Sequence, residues 1–181
     1  MKRKSFVASL TLLPVFKLFG TPGALVSRDC RTQRDAEGPY YKAGAPLKTT
    51  IETEGEALTI TGTIFQSSDC ATPVANATID IWHCDSRGNY DNSGFKCRGL
   101  VKSDRQGKYS FKTIFPPSYG SRPRHIHFKV RADGFKELTS QIYFKGDPNL
   151  QNDFAKNAES SRVLAIKKTE GEQHGQFDIY I

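Results

Sequence analysis

The chain is poor in several residue types at once. It has one methionine, one tryptophan and four cysteines in 181 residues. It also lacks any uncharged apolar run of about 18 residues, which excludes a bundle of membrane-spanning helices. Fifteen glycines and nine prolines are too many for a helical coiled coil. No run of five or more like charges and no basic repeat occurs, so nucleic acid is not expected as a partner. The net charge of +7 does not alter that reading. Lys2, Arg3, Lys4 and Lys17 supply four of the seven charges from a leader that has no acidic residue, leaving +3 for the rest. What is present is 37% hydrophobic, 25% charged and 11% aromatic residues, the composition of one folded domain with a real core.

Residues 1–23 read as an export signal. A Lys2-Arg3-Lys4 start precedes an apolar stretch from Phe6 to Phe16, followed by the small residues Gly20, Thr21 and Gly23. The expected location is therefore periplasmic or extracellular. Arg28 and Asp29 stand directly before Cys30, which is the wrong setting for lipid attachment. Residues 24–56 form an arm, and residues 57–181 the folded body. Four cysteines behind an export signal suggest two bridges in an oxidising compartment. Three connectivities exist; Cys84 with Cys97 and Cys30 with Cys70 are favoured, against buried free thiols as the alternative.

The dominant pattern is alternation of period two, broken by Gly, Pro, Asn and Asp about every ten residues. Leu58, Ile60 and Ile64 alternate with Thr59, Thr61 and Thr63; Ile79 and Ile81 alternate with Thr78, Asp80 and Trp82. Tyr109, Phe111 and Phe115 do the same, and 98–102, 124–131, 138–144 and 176–180 are further candidates. The expectation is an all-β fold, an antiparallel β-sandwich of about seven to nine strands. One short helix is expected near 150–160, with Asp147-Pro148-Asn149 supplying the turn and cap.

The chemistry begins at His125-Ile126-His127-Phe128-Lys129-Val130. On a strand, residues i and i+2 share a face about 6.6 Å apart. Ile126, Phe128 and Val130 can therefore fill a core while both imidazoles emerge together on the other side, close enough to hold one metal. Tyr119 stands six residues before, in the Pro/Gly-rich loop 115–123, and Tyr90 ends a second loop that follows Trp82-His83-Cys84. His83 shares a strand face with Ile79 and Ile81 and reads as structural; His174 lies in a polar turn.

Taken with Glu37-Gly38-Pro39-Tyr40-Tyr41, Arg98-Gly99, the turn 104–109 and Leu138-Thr139-Ser140-Gln141-Ile142-Tyr143-Phe144, this order resembles the intradiol ring-cleavage dioxygenases. The resemblance runs from about residue 37 to residue 148. It implies a β-sandwich that holds one non-haem Fe(III), with Tyr90, Tyr119, His125 and His127 as the metal ligands. Two phenolates and a hydroxide neutralise a 3+ ion, whereas around a 2+ metal they would leave a buried negative charge. The partners it implies are a small aromatic diol and O2, and the product is a muconate-type dicarboxylate opened between the two hydroxylated carbons. In that reading Tyr119 is the ligand displaced by substrate, Arg122 stabilises developing negative charge, and Gln141 is its partner. Pro39 and Tyr40 line the substrate pocket.

The chain departs from the family pattern in having no long N-terminal helical region, in a shorter interval between Tyr119 and His125, and in Arg124 where a small residue is common. These departures imply a more open pocket and a bulkier diol. Self-association as a homo-oligomer is compatible with the sequence but not fixed by it. Two rivals stand beside this reading. One is a non-catalytic exported transthyretin-like sandwich that binds a metal or a partner; the other is a copper or Fe(II) site completed by a carboxylate such as Asp133.

Overall fold

The computed structural model describes residues 30–169 and 171–181. The expected leader, residues 1–23, lies outside the described residues. Among those described, no helix is long and apolar enough to cross a membrane.

Among the described residues ten strands form: β1 (Ala57–Phe65), β2 (Thr78–Trp82), β3 (Arg98–Lys102), β4 (Lys108–Ile114), β5 (His125–Arg131), β6 (Leu138–Phe144), β7 (Val163–Leu164), β8 (Lys167–Thr169), β9 (Glu172–Gln176) and β10 (Ile179–Tyr180). They make two five-stranded sheets. In the first, β1 pairs with β4 along one edge and with β9 and β10 along the other, and β8 flanks β9. The second has the order β3-β2-β5-β6-β7. The period-two residues of both sheets meet between them. Leu58, Ile60, Ile64 and Phe111 of the first sheet and Ile79, Ile81, Val101, Ile126, Phe128 and Ile142 of the second belong to one buried cluster. Burial of this face is the main stabilising term of the sandwich.

The sheets are mixed rather than purely antiparallel, because β1–β9, β1–β10 and β6–β7 pair in parallel. These parallel partners come from the C-terminal segment, whose strands have two to five residues and mostly polar or glycine positions. Such strands carry no hydrophobic alternation to read. The expected helix is replaced by two 3-10 turns, Asp153–Asn157 and Ser160–Arg162. Asp147 Oδ1 does accept the backbone N–H of Asn149 at 2.8 Å, as a capping residue would. The asparagines at 149, 152 and 157 then give the helix too little propensity to continue.

Residues 30–56 wrap the second sheet. Gln33 to Ala36 run along the free part of the β6 edge, where Asp35 N–H donates to Thr139 O at 3.0 Å. The chain then crosses the outer face of β5 and β2, passes the β3 edge where Leu47 bridges Leu100, and ends beside β4. Gly99 permits that passage, since a Cβ there would come within 2.6 Å of the Ile51 Cδ1. The arm is why every residue of β6 is buried although one face of its sheet points away from the core.

The expected cysteine pairing is half corrected. Cys30 and Cys70 form a disulfide that ties the start of the arm to the body. Cys84 and Cys97 are buried free thiols. The β2–β3 ladder continues one step, with His83 N–H donating to Cys97 O, so Cys97 falls opposite His83 and Cys84 points to the other face. Cys84 Sγ lies 3.8 Å from Pro117 O, and Cys97 Sγ 3.3 Å from Glu52 Oε2. Peptide mapping without reduction is expected to return one linked pair, Cys30–Cys70, and two alkylatable thiols after unfolding. Replacing Cys30 and Cys70 together by serine should lower the unfolding free energy by about 2–4 kcal/mol, read from urea curves. A Cys84–Cys97 peptide would contradict the assignment.

Candidate metal centre

Both histidines of the His-x-His pair lie on the outer face of the second sheet, and both are buried there. Their neighbours follow from the ladder. His127 stands opposite Trp82 on β2 and Gln141 on β6, and His125 stands opposite Tyr143. Side chains directly opposite on an antiparallel pair share a face, so β6 delivers Gln141 and Tyr143 to the same surface as the imidazoles. Trp82 stacks on His127 with ring centroids 4.9 Å apart and an interplanar angle of 7°, which fixes the plane of that imidazole.

The loops between strands bring the tyrosines over this surface. Tyr90 ends the loop after β2, and its hydroxyl lies 3.2 Å from His125 Nε2. The other nitrogen of His125, Nδ1, is 2.7 Å from Pro123 O, an atom that can only accept. In the neutral imidazole the proton therefore sits on Nδ1, and Nε2 presents its lone pair to Tyr90. Tyr119 arrives from the loop after β4, with its ring 5.6 Å from that of Tyr90. The two imidazole centroids are 4.9 Å apart. Two phenols and two imidazoles thus converge. His127 keeps one ring nitrogen, Nδ1, buried without a hydrogen-bond partner. His83, by contrast, has Nδ1 at 2.7 Å from Cys84 O and Nε2 at 2.7 Å from Thr113 Oγ1, as a structural histidine should.

Burial governs the electrostatics. It pushes the Tyr90 phenol well above its ordinary range, with the neighbouring Cys84 and Tyr119 adding to the effect. The Tyr119 phenol is raised chiefly by its hydrogen bond to Tyr40. Burial holds His127 far below the usual imidazole range, reinforced by His125 and Arg122. The two phenols and His127 are therefore neutral, and only a strongly charged cation would draw the protons from both phenols. Among the described residues no three of His, Cys, Asp and Glu come together as a metal site, so any metal here depends on the tyrosines.

The remaining expected residues take distinct positions. Tyr40 enters the site: its ring stacks on Tyr90 at 4.4 Å and 11°, and its hydroxyl is 2.6 Å from that of Tyr119. Pro39 is exposed beside it at the rim. Gly38, at φ +74°, brings the arm onto His127, where an added Cβ would sit 3.4 Å from Cε1. Tyr41 packs on Trp82 and donates to buried Asp80 at 2.9 Å, while Lys129 ion-pairs with Glu37 of the arm and lies 4.0 Å from the centroid of the Tyr41 ring. Arg122 donates through Nη2 to Gln141 Oε1 at 3.4 Å, and Gln141 is fully buried. Arg124 pairs with Asp147 at 3.0 Å. Asp133 is exposed beyond the opposite end of β5, so it cannot complete a site with the two histidines. His174 is exposed beside Glu172. Sequence reasoning did not single out Asp35, Tyr143 and Arg162, which stand behind Gln141. Tyr143 was legible in principle, lying two residues after Gln141 on one strand face, whereas nothing local marks Asp35 or Arg162.

A family model described as Dioxygenase matches residues 36–180. The chain belongs to the intradiol ring-cleavage dioxygenase family. It is 36% identical over 168 residues to catechol 1,2-dioxygenase 2 of Acinetobacter lwoffii, a match covering 77% of this chain and 60% of that protein. The chlorocatechol 1,2-dioxygenase of a Pseudomonas species (strain P51) is 35% identical over 80% of this chain and 68% of its own length. Among solved structures, the dioxygenase domain of a dioxygenase carbohydrate-binding protein fusion from Streptomyces sp. SirexAA-E superposes with a TM-score of 0.77 at 32% identity. That match covers 83% of this chain and 97% of that one.

The buried histidines also set a pH dependence. Burial lowers His83 to about 4 from an ordinary value of 6.5. Between those values the unfolded chain binds a proton that the folded one refuses, so stability is full above about pH 6.5 and falls as pH drops toward 4. For His83 the loss is on the order of 3 kcal/mol over the whole window. Urea unfolding of the metal-free protein should show this decline between pH 6.5 and 5, with a shallower slope in His83→Gln. Equal slopes would show that His83 is not held neutral.

Proposed function

We propose that the chain is an exported, iron(III)-dependent intradiol dioxygenase that opens a catechol-type diol with O2 to a muconate-type dicarboxylate. The observation that carries this reading is the convergence of Tyr90, Tyr119, His125 and His127 on one sheet face, with Arg122 and Gln141 beside them. These four side chains would hold the ion. When bound, iron(III) supplies the charge that ionises the phenols and draws electron density from a chelated catecholate.

The protein groups around it divide the remaining tasks. His125, oriented by Pro123, and His127, held flat by Trp82, are fixed donors on a strand. Tyr119 is the mobile one: it sits on a loop, it is only half-buried, and its hydroxyl already has a partner in Tyr40. Its oxygen can take a proton from an incoming catechol hydroxyl and then donate to Tyr40. Arg122 brings a cation to the side of the site where negative charge develops on the opening ring. The arm excludes water from the outer face through Gly38 and Tyr40. Relatives named catechol and chlorocatechol 1,2-dioxygenases support the diol. The leader, together with the Cys30–Cys70 bridge, supports export.

Iron-loaded protein mixed with catechol should consume one O2 per catechol and yield a cis,cis-muconate-type product absorbing in the ultraviolet. Arg122→Ala, with its iron intact, is expected to lose on the order of 10²-fold or more in kcat. Absence of O2 uptake with any of a panel of catechols would refute the activity, and near-normal turnover in Arg122→Ala would remove that residue from the mechanism.

A further inference from the structure

Behind Gln141 lies a buried polar cluster that the reaction as described does not use. Arg162, on the 3-10 turn before β7, is 2% exposed. Its guanidinium ion-pairs with Asp35 of the arm, donates from Nε and Nη2 to Gln33 Oε1 at 3.0 and 2.7 Å, and reaches the main-chain oxygen of Gln141 at 3.5 Å. It also stands over the Tyr143 ring, 5.3 Å from the centroid. The Tyr143 hydroxyl is 3.0 Å from Asp35 Oδ2 and 3.2 Å from Gln141 Oε1. A buried arginine matched in this way is costly to assemble, and through Asp35, the Tyr143 ring and the Gln141 main chain it stands directly behind Gln141.

Gln141 can occupy its place in two amide orientations, and only one serves Arg122. Its Nε2 donates to Ala36 O of the arm at 2.8 Å, which leaves Oε1 facing Tyr143 and Arg122. The contact to Arg122 is long, so it does not by itself hold the amide. The Tyr143 proton faces two acceptors. Arg162 already binds the competing oxygen of Asp35, which weakens its pull and shares the proton with Gln141.

We propose that Tyr143, set by Asp35 and Arg162, is a positioning residue that fixes the Gln141 amide and through it the guanidinium of Arg122. This inference rests on the dioxygenase reading of the site. It also means that the arm and the C-terminal segment, which join at Asp35–Arg162, both support the chemistry from behind.

The test is Tyr143→Phe, which keeps the ring between Arg162 and His125 and removes only the hydroxyl. The iron-loaded variant should keep its iron content, its visible band and its KM for catechol within about twofold, and lose about tenfold in kcat. In an Arg122→Ala background the same change should cost less than twofold, since Tyr143 acts through Arg122. Unchanged kcat in the single variant, or full additivity in the double variant, would overturn the proposal. A second readout does not depend on activity. In the iron-free protein the Gln141 side-chain amide protons, followed by NMR, should exchange at least tenfold faster in Tyr143→Phe, and unchanged exchange would also overturn it. If the wild-type protein neither shows a visible band nor opens catechol, the site reading fails, and the amide measurement alone decides the role of Tyr143.

Discussion

Polar side chains on the outward face of a sheet ordinarily meet water, and on β5 and β6 they do not. His125, His127, Gln141 and Tyr143 are all buried, because an arm without regular strands lies across that face from the β6 edge to the β3 edge. The rest of the structure depends on this covering. A strand pair apolar on one side and polar on the other can be buried on both only if the polar side finds partners. The partners come from the arm and loops: Pro123 for His125, Ala36 for Gln141, Asp35 for Tyr143, and Glu37 for Lys129. The Cys30–Cys70 bridge and the Arg162–Asp35 pair hold the arm at its start and beside the site.

The same covering gives the site its chemistry. Burial keeps the Tyr90 phenol protonated and His127 neutral, and the hydrogen bond to Tyr40 raises the Tyr119 phenol, so only a strongly charged cation would draw both phenol protons from this face. The donors come from two kinds of structure. The histidines ride on the central strand of a packed sheet, whereas Tyr119 rides on a loop with a hydroxyl partner within reach. Arg122 and Gln141 form a second layer beside the donors, and the Arg162 cluster a third behind them.

Much of this was legible in the sequence, and the unread part has a physical cause. Strands β1 to β6 were expected from the sequence, the candidate at 176–180 overlaps only the short β10 and the end of β9, and His125-x-His127 placed both imidazoles on one face without any knowledge of the fold. Tyr90, Tyr119, Arg122 and Gln141 were located by motif order, since no spacing rule joins two loops to a strand. Three features escaped. The C-terminal strands β8 and β9 are too polar to show alternation, and they form because β1 has a free edge to offer. Cys84 and Cys97 looked like a closed loop, yet the register of β2 on β3 turns them to opposite faces. The Arg162–Asp35 pair spans 127 residues, a separation that no local pattern can encode.

The central claim is that Tyr90, Tyr119, His125 and His127 together bind iron(III). Visible absorption of the iron-loaded protein, recorded before and after catechol is added without oxygen, tests it most directly. The account predicts a broad phenolate-to-iron band that weakens in Tyr90→Phe and shifts when catechol displaces Tyr119. A colourless protein, or a band indifferent to both tyrosines and to catechol, would contradict it.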